Sequence, residues 1–403
     1  MSNQNTEKKD PFIRIAQIKN VPKKRKIFVR IAAVLVAFLA VGLFVNIVGN
    51  ISLFTAIKEM FKGTFGDFKS IKSVEIKMWD TAIYTAKLLV IAVALTPAFK
   101  MRFWNIGAEG QIIIGSLVTA FVMHNLGDKL STPVLYIFMF LGCMAAGTLW
   151  GIIPAIFKAK WGTNETLFTL MLNYVAAKIM DYFYNSWKGL NSALDKINRT
   201  TEIGYLPSIF KHRTTISIII FVILAILMYF YINKTKQGYE ICVVGESVNT
   251  ARYAGINVPK VIIRTMAISG LICGLCGGLT VAGQTFSISY SGDAVNTITN
   301  GYGFTAIIVS WLANFNTLSM IAYSLLVVFL EKGAGQLGNT YSVFSLGAGK
   351  ILIGIVLFVL IGSEFFIRYK VIFNDKTRNF FEKTKNGIKD IFKKKVKEEN
   401  CNE

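Results

Sequence analysis

The sequence predicts an all-α protein: a polytopic transmembrane helical bundle of about ten membrane segments, one pair of them short and broken, with both termini on the cytoplasmic side. Three observations carry this. Of 403 residues, 53% are hydrophobic and only 17% charged, where soluble domains carry nearer a quarter. The apolar residues gather into repeated runs of about 20, the length at which a helix spans the hydrocarbon core. Basic residues recur at alternate ends of those runs, at Lys100/Arg102, Lys158/Lys160, Lys234/Lys236 and Arg368/Lys370, the bias that keeps loops on the inner face.

The remaining charge agrees with a multi-pass protein of the cell membrane. The formal net charge is +21. Its basic residues crowd into the two ends, at Lys23, Lys24, Arg25, Lys26 and Arg30 and again at Lys370, Lys393, Lys394, Lys395 and Lys397. That placement suits inner-face flanks beside anionic membrane lipid. No basic platform with interleaved aromatics occurs in between, which argues against nucleic acid. Five cysteines and two histidines include the pair Cys273/Cys276, but this lies in an apolar, glycine-rich run without a second ligand pair. Small packing residues are expected there, with no metal site.

Taken in order, residues 1–26 read as a cytoplasmic basic segment, 27–368 as the membrane domain with a cytoplasmic loop at 234–262, and 369–403 as a cytoplasmic basic tail. The run from Ile31 to Val48 is too long for a signal-peptide core and lacks a small-x-small cleavage site, so a retained first helix is expected over 29–49. The stretch 50–77, with Lys58, Glu59, Lys62, Asp67, Lys72 and Glu75, is expected outside. Further segments are expected over 79–99, 105–124, 133–157, 164–184, 214–233, 263–283 and 347–367. Residues 302–331, interrupted at Asn314 and Asn316, are expected to form the short pair, tolerated only where protein or water shields it. In the tail, Phe380, Phe381, Ile388 and Phe392 among lysines suit either an interfacial helix or a solvated segment.

The most informative stretch is Asn105-Ile106-Gly107-Ala108-Glu109-Gly110-Gln111. It puts a carboxylate and two amides at the start of a membrane helix. A carboxylate at the bilayer centre costs roughly 3 kcal/mol on insertion scales, so Glu109 is not expected to face lipid. The helix N-terminus helps to hold its charge, Asn105 is placed as an N-cap, and Gly107 and Gly110 admit a neighbouring backbone. Asn164 and Glu165 open a second helix with the same chemistry, and Asn173 lies about two turns further on. Two such starts suggest facing elements along a polar route, though Glu109 and Gln111 would serve equally to staple helices together. Gly270, Gly274 and Gly278 recur every fourth residue and make a flat face for close helix crossing. In the cytoplasmic loop, Gly245, Asn249, Ala251, Arg252, Ala254 and Gly255 belong to a short helix-compatible stub. It suits docking in a groove of a soluble partner, or is simply a polar loop. Phe286, Tyr290 and Tyr302 offer aromatic faces near a loop rich in Ser, Thr and Asn.

NIGAEGQ at 105–111, TNET with LMLNY at 163–174, NTARYAGIN at 249–257 and Gly301-Tyr302-Gly303-Phe304 occur in one order over residues 79–367. In this the sequence resembles the permease subunits of bacterial nucleoside and simple-sugar ABC importers, within the ribose and branched-chain amino-acid permease superfamily. The resemblance implies a subunit that is not itself an enzyme. It implies a second homologous permease, an ABC ATP-binding subunit that carries the ATP and Mg, an extracytoplasmic substrate-binding lipoprotein, and no cofactor on this chain. It also implies that residues 238–257 contact the ATPase. From the chemistry of the residues themselves, the solute pathway is expected to draw on Asn105, Glu109, Gln111, Asn164, Glu165, Asn173, Tyr302 and Phe304. Gly347-Ala348-Gly349-Lys350 is no Walker A motif, since Ile351 follows the lysine and the second glycine is missing at the required spacing. The competing expectations are an ion-coupled secondary carrier, with Glu109 and Glu165 as proton sites, and a membrane scaffold that transports nothing.

Overall fold

A computed structural model of the chain describes residues 13–18, 21–187, 202–288, 298–341 and 348–373. Thirteen helices are described. They are α1 (Lys23–Gly49), α2 (Leu53–Phe65), α3 (Ile71–Lys100), α4 (Ala108–Leu126), α5 (Thr132–Trp161), α6 (Glu165–Trp187), α7 (Thr214–Lys234), α8 (Lys236–Glu246), α9 (Val248–Tyr253), α10 (Val258–Thr280, continued by a π turn to Thr285), α11 (Tyr302–Leu312), α12 (Thr317–Thr340) and α13 (Ala348–Arg368). Seven of these, α1, α3, α5, α7, α10, α12 and α13, are long and apolar enough to cross a membrane. Each expected membrane segment contains a helix. Tyr290 and the tail residues Phe380, Phe381, Ile388 and Phe392 lie outside the described residues.

Two compact units are present, residues 1–41 with 354–403, and residues 42–353. In the first, the all-α expectation needs a correction. Strands β1 (Ile13–Gln17) and β2 (Tyr369–Phe373) pair antiparallel, with Ile15 opposite Val371. Ile13 and Ile15 alternate with polar or small neighbours, and Tyr369, Val371, Ile372 and Phe373 are aromatic or β-branched. These are strand formers, masked by the basic composition around them. Arg25 of α1 donates to the carbonyls of Phe366 (2.9 Å) and Tyr369 (3.2 Å). Glu364 accepts Arg30 at 3.3 Å and Arg368 at 3.5 Å. The basic ends of α1 and α13 are thereby tied together, and α1 begins inside the stretch expected to be an irregular N-terminal segment.

In the second unit, burial distinguishes helices by position. From Lys87 to Phe99 every residue of α3 is buried, as a helix apolar on all sides requires. Around it pack α7, α10, α11 and α12. By contrast, α7 buries one stripe, Thr215, Ser217, Phe221, Ala225, Met228 and Ile232. It leaves Ile219, Val222, Ile223, Ile226, Leu227 and Phe230 exposed. In water this face would be a severe liability; in lipid it is the ordinary outer surface.

The tightest packing joins α4, α5 and α10. A Cβ on Gly274 would lie 2.3 Å from the Cys143 carbonyl oxygen, and one on Gly270 would lie 2.2 Å from that of Gly147. Backbones touch where these glycines face each other, so no larger side chain fits.

Within the stretch 50–77, residues 53–65 form an amphipathic helix. Ala56, Met60, Gly63 and Thr64 are buried, and Thr64 donates to the Phe329 carbonyl of α12 at 3.3 Å. The break near Asn314 is present, with Asn314 and Phe315 at positive φ (48° and 59°) and Asn316 capping α12. The arm after it is nevertheless a full-length helix. Glu331 and Lys332 are both partnered inside the protein, and the helix continues to Thr340.

Gly274→Val is expected to destabilise the folded protein by about 1–3 kcal/mol through overpacking of the α5–α10 crossing. Thermal unfolding in detergent, compared with Gly354→Val, where nothing lies within 4 Å, measures it.

Candidate functional site

The N-terminus of α4 is held by side chains rather than by a conventional cap. Gly107 occupies the cap position and supplies no side chain. Asn105, expected there, sits two residues earlier. Its Oδ1 accepts from the Gly107 N–H at 2.9 Å and its Nδ2 donates to Ser269 Oγ of α10 at 3.4 Å. From α6, Asn173 reaches both strands of this turn. Its Nδ2 donates to the Ile106 carbonyl at 2.9 Å and its Oδ1 accepts the Gly110 N–H at 2.8 Å. Thr169 Oγ1 accepts the Ile106 N–H at 3.2 Å. Glu165, Thr169 and Asn173 recur every fourth residue, so one stripe of α6 carries all three and all three are buried.

Glu109 is fully buried in the first turn of α4. Its Oε1 accepts the Gly303 N–H, in the first turn of α11, at 2.9 Å. The Thr299 hydroxyl and the Phe304 N–H also face the carboxylate. Two helix N-termini, each carrying unsatisfied N–H groups and a partial positive charge, therefore meet at one carboxyl group. Residue 303 must be glycine for this, because a Cβ would lie 2.7 Å from the Glu109 nitrogen. The motifs NIGAEGQ and GYGF, 194 residues apart, are thus one structural feature.

Tyr302 is also buried. It donates to Glu331 Oε2 of α12 at 2.6 Å and meets Tyr84 of α3 edge to face at 5.9 Å. Phe304 is 39% exposed and does not join this group. Gln111 is buried beside Gly151, with its Oε1 unpartnered among the described residues. Asn164 is exposed and caps α6 through the N–H groups of Thr166 (3.1 Å) and Leu167 (3.3 Å). Glu165 pairs with Lys158 of α5 at 2.7 Å. Of the expected residues, then, Asn105, Glu109, Asn173 and Tyr302 are gathered around the α4 and α11 starts. Asn164, Glu165 and Phe304 serve the periphery.

Sequence reasoning missed the charged groups that complete this centre. Lys87 of α3 is 2% exposed and donates to the Ile298 carbonyl at 2.7 Å. Lys332 pairs with Asp80 at 2.6 Å and lies 3.7 Å from the Tyr84 ring centroid. Asn300 and Glu331 form a short hydrogen bond. The signal was present: an ionisable side chain inside a long apolar run marks a functional position by default.

At the Lys100 end of α3, helices α8 and α9 form the stub expected from the loop. They are mounted rigidly. Ile241, Val244 and Ala251 share an apolar cluster with Ala98, Met101, Phe103, Ala155 and Val261. A Cβ on Gly245 would meet the Lys100 carbonyl oxygen at 1.9 Å, so Gly245 and Ala251 are anchors. Asn249, Arg252, Ala254 and Gly255 are exposed, and Tyr253 is 93% exposed. The end of α9 is a Schellman motif, with Gly255 at φ 76°, its N–H bonded to the Arg252 carbonyl and that of Ile256 to Ala251. A groove of about 300 Å³ lined by Arg102, Lys158, Glu246 and Val248 opens beside it.

A membrane bundle with a buried polar centre and a rigid, exposed helical stub at one end is the architecture of a transport subunit driven by another protein. Comparison with known families agrees. Residues 78–361 match the family described as branched-chain amino acid transport system / permease component, and the chain belongs to it. It is 29% identical over 340 residues to the guanosine ABC transporter permease protein NupP of Bacillus subtilis (82% of this chain, 92% of that one). It is 26% identical over 347 residues to the glucose ABC transporter permease protein TsgB13 of Haloferax volcanii (83% and 87%). It is 24% identical over 328 residues to the nucleoside ABC transporter permease protein NupB of Lactococcus lactis (79% and 86%). The chain is therefore a multi-pass permease subunit of the cell membrane that works with other subunits, ATP hydrolysis residing on a separate ATPase.

Glu109→Leu is expected to destabilise the bundle by about 1–3 kcal/mol, because it leaves a buried N–H unpaired at Gly303. Glu109→Gln, whose amide oxygen still accepts, is expected to lose less than half as much. Thermal unfolding of the two variants side by side gives the comparison.

Proposed function

We propose that this chain is the membrane-spanning permease subunit of an ABC importer for a nucleoside, working by ATP-driven alternating access. It binds no cofactor itself; ATP and Mg sit on the partner ATPase. The other partners are a second homologous permease and an extracytoplasmic substrate-binding lipoprotein. The observation that carries the proposal is the mounting of α8 and α9. They pack on the Lys100 end of α3 and the start of α10, and the same two helices run on to the polar centre. Lys87 lies thirteen residues from Lys100, about 20 Å along α3. A push on the exposed face of α9 thus reaches the α4 and α11 starts through close-packed helices, without a flexible link. The nucleoside assignment is supported by the guanosine and nucleoside permeases among the relatives, and the glucose permease makes a sugar the alternative solute.

In this reading both basic ends lie inside, on the same side as α8 and α9, and the 234–262 stretch is the coupling loop. Asn105, Glu109 and Asn173 shape the polar route, while Asn249, Arg252, Ala254 and Gly255 meet the ATPase. Transport needs the ATPase to favour one permease state over the other, since solute binding alone shifts no gradient.

The test is uptake into proteoliposomes holding this chain with its ATPase, second permease and binding protein. Guanosine uptake is expected to require ATP and to survive collapse of all ion gradients. Uptake of glucose instead would move the solute assignment to sugars, and uptake driven by gradients alone would end the proposal. Arg252→Glu combined with Gly255→Asn, which tolerates the positive φ, is expected to lower ATP-dependent uptake about tenfold and to reduce co-purification of the ATPase. Such a loss is what a broken charged contact at a protein interface produces. The yield of folded permease should be unchanged; wild-type co-purification and uptake would remove α9 from the coupling role.

A further inference from the structure

Residues 298–303, which lead into α11, are gripped at three points by ionisable side chains from three different helices. Lys87 of α3 donates to the Ile298 carbonyl at 2.7 Å. Glu109 of α4 accepts the Gly303 N–H at 2.9 Å. Glu331 of α12 accepts the Tyr302 hydroxyl at 2.6 Å and the Asn300 amide. Between them lies the Tyr302 ring, its centroid 5.7 Å from the Lys87 nitrogen.

Such an arrangement is costly unless its polar groups are partnered. A buried ammonium or carboxylate without a partner is strongly unfavourable, and removing one member of a buried set leaves the others stranded. Lys87, Glu109 and Glu331 each find a partner in the same short stretch, Ile298, Gly303 and Tyr302 respectively. Lys332, next to Glu331, is already engaged by Asp80. A turn that needed only mechanical support would be served by apolar packing. Here the support comes from long polar side chains reaching it from three directions.

We propose that Lys87, Glu109 and Glu331, one amine and two carboxyl groups, form a polar clamp on residues 298–303, and that Lys87 is a positioning residue for transport: its grip on the Ile298 carbonyl sets where the start of α11 sits. The transport half of this rests on the permease reading above; the clamp itself does not. Losing Lys87 leaves two carboxyl groups without their amine, and removing the Glu331 charge as well relieves one of them. A packing role predicts the opposite, since Lys87→Met keeps most of the side-chain volume and a second substitution only adds damage.

The experiment compares wild type, Lys87→Met, Glu331→Gln and the double variant, each purified in the full transporter complex. Amide hydrogen exchange over residues 298–303 is read by mass spectrometry. Lys87→Met is expected to speed exchange at least about tenfold there, and the double variant to return within about threefold of wild type, the coupling a double-mutant cycle detects. Wild-type exchange in Lys87→Met, or exchange in the double variant as fast as in the single, overturns the clamp. Should Lys87→Met not accumulate, Glu331→Leu removes the acceptor that holds Tyr302 and Asn300. Its exchange over residues 298–303 must then rise, and wild-type exchange overturns the proposal equally.

ATP-dependent guanosine uptake is the second arm. Lys87→Met is expected to lower the maximal rate about tenfold with KM unchanged, the pattern of a lost transition-state rather than binding contribution, and the double variant to recover most of it. An unchanged rate overturns the positioning role. If even the wild-type complex takes up no guanosine, the solute assignment fails while the exchange arm still decides the clamp.

Discussion

The bond between the Glu109 carboxylate and the N–H of Gly303 is the constraint on which the centre of this protein depends. It resolves two problems of the membrane interior at once. A carboxylate cannot be left facing hydrocarbon, and the N–H groups that open a helix cannot be left without acceptors. Bringing the first turns of α4 and α11 to one carboxyl group satisfies both. The glycine at 303 lets the backbones approach, and Asn173 and Asn105 fix the other end of the α4 turn. Remove the carboxylate and the two helix starts have no reason to adjoin.

From that point the bundle divides by the way its parts are held. On one side α4, α5 and α10 meet through glycines, backbone against backbone, a packing with no slack. On the other, α3, α11 and α12 are joined by polar and charged side chains. Ser310 donates to the Ala92 carbonyl at 2.8 Å, Lys87 and Glu331 engage residues 298–303, and Lys332 pairs with Asp80. Side-chain contacts of this kind have alternative geometries that backbone contacts lack.

This division also explains what the sequence disclosed. Long apolar runs and alternating basic flanks were enough for the helices, because lipid imposes length and polarity so strongly. The polar motifs with an unusual composition, such as NIGAEGQ, stood out against that background. Lys87 and the Glu331/Lys332 pair were passed over because each is a single interruption, and the partner that makes it tolerable comes from a distant part of the chain. Asn105 was misplaced by two residues, since a cap is inferred from spacing while here the turn is fixed by Asn173 from another helix. The β1–β2 pair escaped notice for a similar reason: each strand is only five residues long, and neither has a partner until the two ends of the chain meet.

The seam between the two halves passes through Glu109, which belongs to the glycine-packed side but holds the start of α11 on the other. Helices α8 and α9 rest on α3 and α10, one from each half. A force applied there acts on both groups, but only the polar group has contacts that can be exchanged at modest cost. On the proposed alternating-access reading, relative movement of the halves concentrates at the starts of α4 and α11. There the intervening groups are amides, hydroxyls and carboxylates, which can trade one partner for another, a water or a solute hydroxyl among them, without leaving a bare charge. A polar centre in lipid is costly to keep at rest, and the proposed mechanism gives a physical reason for it: the place it requires to open is the place where broken bonds find substitutes.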